Sequence, residues 1–120
     1  MVLLENDNLV NEDPFFIVIE KAGNPYLRAL PDIGNTMAKG DAAYNYRGLE
    51  AMFKHAFNMC HVKDEVVSQT GKVYKIDLAR AFDIAKANRY RGYFSMEWET
   101  KLGDIFDGTH RLVKQTLKYM

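Results

Sequence analysis

Glu5, Asp32, His61 and Glu97 are the residues of this chain whose types and spacing could do chemistry together. They lie 27, 29 and 36 positions apart. Each step is about the length of one strand-plus-helix unit, and the longest spans an extra hairpin. Three carboxylates and one imidazole make a donor set for a divalent cation of hard or borderline character. Four protein donors at a wide mouth would leave coordination positions for water or substrate oxygens. Taken singly, each acid could cap a helix or sit in a solvated loop, and His61 could be a hydrogen-bonded strand residue. Recurrence in phase, four times, is what lifts the set above those alternatives.

The elements that must position these residues can be read from the hydrophobic pattern. VLLE (2–5) reads as a strand ending at Glu5. DPFFIVIEKAG (13–23) predicts a helix, with Asp13 as cap, Pro14 in the first turn and Gly23 as the stop. YLRALPDIGN (26–35) holds a short strand ending near Asp32. YNYRGLEAMFKHAF (44–57) places apolar residues at 49, 52, 53 and 56, a helical spacing. NMCHVKD (58–64) predicts a strand reaching His61, with Cys60 packed inside it, and VVSQTGKVYKI (66–76) a hairpin turning at Thr70-Gly71. DLARAFDIAKANRY (77–90) predicts a helix capped by Asp77, with Leu78, Ala81, Phe82 and Ala85 on one face. YFSMEWE (93–99) predicts a strand reaching Glu97, with Tyr93 in the core. FDGTHRLVKQTLKYM (106–120) predicts a helix with Leu112, Val113, Leu117 and Met120 turned inward, preceded by loop and cap residues Gly103 and Asp104. Alternation of strands and helices argues for a parallel sheet with helices packed outside, and ligands in such folds bind at the C-terminal ends of the strands.

Composition narrows the class. The 120 residues suggest one domain, 1–120. Sixteen basic and 16 acidic residues cancel, which weighs against nucleic-acid partners and against a polybasic membrane patch. At 48% hydrophobic, the chain can build a packed core. No apolar run approaches a membrane span. The opening MVLLENDN turns acidic early, so no secretory signal is expected, and Cys60 has no second cysteine to pair with. Together these predict a cytoplasmic protein.

The segments LPDIGNT, CHVKDE, YKIDL and YFSMEWE, with the VLLEND opening, resemble the C-terminal half of the xylose isomerase-like TIM barrels. The similarity runs over about residues 2–120. It implies an α/β fold: half of a (β/α)8 barrel, strands five to eight, with four parallel strands, outer helices and a hairpin insertion near 66–76. It implies Glu5, Asp32, His61 and Glu97 as ligands to a divalent metal, manganese first, with magnesium, cobalt or zinc as alternatives. Glu5 and Glu97 would also act as an acid/base pair on opposite faces of a sugar or sugar-phosphate substrate, working through an enediolate. Asn35, Lys63, Asn6 and Glu99 are the implied substrate-binding residues, with Trp98 a further pocket candidate. Lys63 could meet a phosphate or a substrate oxygen, or be a solvated loop lysine; Asn35 could orient a ligand or cap a helix. The endonuclease branch of that superfamily fits less well, because Asn35 stands where it has a histidine and no Asp-x-His pair follows His61.

Length is the departure, since a complete barrel of this kind takes about 250 residues. The resemblance therefore implies a metal-dependent isomerase or epimerase, or a dehydratase of the same fold, in which the chain pairs with itself as a homodimer or with a missing N-terminal half. The other expectation is a non-catalytic half-barrel that binds a metal or polyol.

Overall fold

The computed structural model describes residues 1–6, 12–37, 42–99 and 103–120. Its elements in chain order are β1 (Val2–Glu5), α1 (Glu12–Ala22), β2 (Leu27–Leu30), α2 (Ala42–Phe53), β3 (Met59–Val62), β4 (Glu65–Val67), β5 (Val73–Lys75), α3 (Leu78–Ala87), β6 (Tyr93–Met96) and α4 (Ile105–Thr116). The helix boundaries follow local chemistry. Gly23, at φ 55°, takes the left-handed conformation that stops α1. Asp77 caps α3 by accepting the Arg80 N–H, and Asp104 caps α4 by accepting those of Phe106 and Asp107. α1 begins one residue before Asp13, so Asp13 lies inside the helix rather than at its cap.

β1 pairs in parallel with β2, Val2 opposite Leu27, and β3 pairs in parallel with β6, Met59 opposite Tyr93. Two isolated parallel bridges, Ala29 to Ala56 and Asp32 to His61, join β2 to β3. The His61 N–H donates to the Pro31 carbonyl at 2.8 Å, and the Ile33 N–H to the His61 carbonyl at 3.2 Å. The parallel strands therefore run β1-β2-β3-β6, in sequence order. β4 and β5 form the expected antiparallel hairpin, with Gly71 at φ 82° in its turn. Val66 and Ile76 anchor that hairpin in the core.

Strand order that never reverses has a consequence. Right-handed crossovers then put the helices on one face of the sheet. Burial agrees: Ala29, Cys60 and Val62 are fully buried against Leu49, Met52, Phe53, Ala81 and Phe82 of the helices. The alternate residues Met59 and Tyr93 are exposed. Tyr93, at 76% exposure, is not the core residue the sequence suggested, because it opens β6 on the face without helices. Among the described residues no helix is long and apolar enough to cross a membrane.

α2 and α3 keep their expected inward faces, although α2 starts at Ala42 and stops at Phe53. α4 does not. Leu112 is buried, but Val113, Leu117 and Met120 are exposed, and the inward stripe is Gly108, Leu112 and Thr116. The reason is Trp98, whose indole ring lies against the helix backbone at Gly108. A Cβ at Gly108 would meet Trp98 Cε2 and Cζ2 at 2.5 Å. Gly→Ala inside a helix normally stabilises by up to about 1 kcal/mol. At Gly108 overpacking reverses the sign, and Gly108→Ala is expected to cost about 1–3 kcal/mol, read as a lower thermal midpoint.

Candidate metal centre

Glu5 closes β1, Asp32 follows β2 at its bridge to His61, His61 is the third residue of β3, and Glu97 follows β6. The Glu97 N–H donates to the Val62 carbonyl at 2.8 Å, which continues the β3–β6 ladder and brings Glu97 level with the others. One ligand atom from each of the four lies within 4.8 Å of the rest. All four expected ligands are thus brought together at the C-terminal ends of four neighbouring strands.

The interior of this cluster is short of protons. His61 Nδ1 lies 3.0 Å from Glu5 Oε1 and 2.9 Å from Glu97 Oε2. A single ring nitrogen carries at most one hydrogen, so it cannot donate fully to both. Glu97 Oε2 and Asp32 Oδ2 are buried without a well-formed hydrogen bond, their nearest nitrogens being His61 Nδ1 at 2.9 Å and Lys63 Nζ at 3.2 Å. Buried carboxylate oxygens this sparsely hydrogen-bonded are uncommon and costly. Metal–ligand bonds of roughly 2.0–2.2 Å at right angles would separate adjacent donors by about 3 Å, which is the spacing found around His61 Nδ1. The residues present therefore fit a divalent cation.

Asp32 is 1% exposed. Its Oδ1 accepts the N–H groups of Gly34 and Asn35, both at 2.8 Å. Burial pushes its carboxyl above the usual range, and the Lys63 ammonium and the Gly34 N–H recover only part of that shift. Asn6 clasps the Asp32 backbone, accepting its N–H at 2.8 Å and donating to its carbonyl at 3.1 Å. Asn6 thereby ties β1 to the end of β2 and directs its amide at protein backbone.

Lys63 is also 1% exposed. Its Nζ lies 2.7 Å from Glu99 Oε1, 2.8 Å from Asn35 Oδ1, 3.2 Å from Asp32 Oδ2 and 3.6 Å from Glu97 Oε1. Burial pulls its pKa down, but Asp32, Glu99 and Glu97 together outweigh burial and leave it raised. Lys63 is a protonated strut beneath the carboxylates, with its stem packed against Gly34, where a Cβ would lie 2.9 Å from Lys63 Cγ. Asn35 bridges the strut to the cluster, its Nδ2 donating to Glu5 Oε1 at 3.3 Å. Cys60 is buried, and both desolvation and the Asp32 charge push its thiol well up. That makes it a packed strand residue, as expected.

A second polar clamp was not anticipated from the sequence. Asn45 of α2 is buried, donates to the Ile33 carbonyl at 3.0 Å, and accepts from Thr36 Oγ1 at 2.5 Å. It fixes the turn that carries Asp32 and Asn35. The available signal was an asparagine on the same helical face as Leu49 and Met52.

The chain matches no protein-family model and no curated protein. Lys63→Met should unfold the chain more easily by about 3–5 kcal/mol, since it strands buried carboxylates. Thermal melts check this.

Proposed function

We propose that this chain is half of an eight-stranded parallel barrel of the xylose isomerase-like kind, and that it holds a divalent cation, manganese first, to isomerise or epimerise a sugar or sugar phosphate. The carrying observation is the convergence of one ligand atom each from Glu5, Asp32, His61 and Glu97 within 4.8 Å, with two buried carboxylate oxygens short of well-formed hydrogen bonds. Sequential parallel strand order and the resemblance of CHVKDE and YFSMEWE support the same assignment.

Asp32 and His61, on the adjacent inner strands, are the fixed ligands. Glu5 and Glu97 come from the two outer strands and carry the proton work. One carboxylate removes the proton from the carbon beside the substrate carbonyl, and the electron pair shifts onto the carbonyl oxygen. The other, protonated beforehand, returns a proton to the same carbon from the other side, which epimerises it. In isomerisation the proton goes instead to the former carbonyl carbon, while the adjacent hydroxyl passes its proton to the enediolate oxygen, leaving the new carbonyl. A bound cation supplies charge stabilisation for the substrate oxygens. Lys63 and Asn35 keep Asp32 and Glu5 in place, and Glu99, partly exposed, stands at the rim.

Calorimetric titration with manganese chloride is expected to show one ion per chain. His61→Ala should weaken binding at least about tenfold, and no heat of binding to the wild-type chain would reject the site. On a panel of aldoses and ketoses, Glu5→Gln and Glu97→Gln should each lower turnover by about 10²–10⁴-fold with circular dichroism unchanged. Tight manganese binding without turnover would leave a binding half-barrel.

A further inference from the structure

We infer that a second copy of this chain covers the open face and both open edges of the sheet, two chains closing head to tail into one eight-stranded barrel. The inference rests on the half-barrel assignment above and is independent of the metal chemistry. Among the described residues no strand pairs with the outer edge of β1 or of β6. Each edge offers a row of unpaired backbone N–H and C=O groups. The two edges are complementary, because both strands run the same way and face outward on opposite sides of the sheet. Under a two-fold axis along the strands, β6 of one copy meets β1 of the other, and the same contact recurs on the far side. Four strands from each copy make eight, about the number at which inward side chains fill a closed barrel.

The flanking helices carry apolar surface on those two sides. On α4, which follows β6, Phe106, Val113 and Leu117, with Met120 beyond, form an exposed stripe at steps of seven, four and three. On α1, which follows β1, Ile17 and Val18 are exposed. Closure makes α4 of one copy the neighbour of α1 of the other. The uncovered sheet face, including Met59 and Tyr93, turns inward at the same time. A single chain therefore carries both halves of the contact, which is what selects a second copy as the occupant. A formal net charge of zero means no long-range repulsion opposes it.

Sedimentation of the whole chain at micromolar concentration, with and without manganese, tests the pairing. The expected wild-type mass is twice 13.8 kDa. Leu117→Glu and Val18→Glu, both at exposed positions, should halve that mass while circular dichroism stays native. A native-like wild-type monomer overturns the proposal. So does an open ladder of larger species, which would mean the edges pair without closing. So does a dimer that survives both substitutions. Manganese bound by a monomer would reject the pairing and keep the metal centre; a dimer without manganese would do the reverse.

Discussion

Four carboxylates converging on one buried ammonium set the terms for everything at this end of the sheet. Asp32, Glu97 and Glu99 lie within 3.6 Å of Lys63 Nζ, and Glu5 joins them through Asn35. One lysine cannot balance that charge. Asp32 lies deepest among the four carboxylates, and desolvation pushes its carboxyl up further than Lys63 and the Gly34 N–H bring it down. The shortage of positive charge shows in two buried oxygens, Asp32 Oδ2 and Glu97 Oε2, that have no well-formed hydrogen bond. An assembly that stopped at structural stability would pair those groups or replace them with apolar ones. Keeping them unmatched makes sense where a further positive charge belongs in the cluster.

Placing the carboxylates needs rigid backbone, and the supports are polar clamps rather than apolar packing alone. Asn6 grips the Asp32 backbone from β1. Asn45 grips the Ile33 carbonyl from α2 and is itself held by Thr36. The turn between β2 and α2 is thus fixed from two sides. Its side chains can then be aimed at the cluster with little freedom left to lose on binding.

Much of this was legible in the sequence because it is local or periodic. Glu5, Asp32, His61 and Glu97 recur in phase with the strand–helix unit, which is why their convergence could be expected. Asp77 and Asp104 sit where caps are needed, and Thr70-Gly71 sits where the hairpin must turn. Burial of Lys63 was not legible, since lysines are rarely enclosed and only the folded geometry surrounds this one with acids. The inward face of α4 departs from the sequence expectation for a related reason. Hydrophobicity points to Val113 and Leu117, whereas the sheet side is Gly108, Leu112 and Thr116. Close approach of Trp98 selects the small residue, and close approach is a tertiary fact. That leaves the more apolar side of α4 outward, an inversion of the usual economy of a surface helix.

The inversion on α4 and the exposure of Tyr93 and Met59 have the same origin. Strand alternation sends Cys60, Val62, Phe94 and Met96 toward the helices. It sends Met59, His61, Tyr93, Ser95 and Glu97 to the other face. The metal-competent cluster therefore lies at one end of the face that the chain's own helices leave open. A ligand held by Glu5, His61 and Glu97 would rest against that open face. Its far wall would have to come from whatever covers the sheet. Affinity for a cation can be built into these 120 residues alone, since all four donors are present. Discrimination among ligands of that cation would fall to whatever covers the open face, because that is the surface the rest of such a ligand would touch.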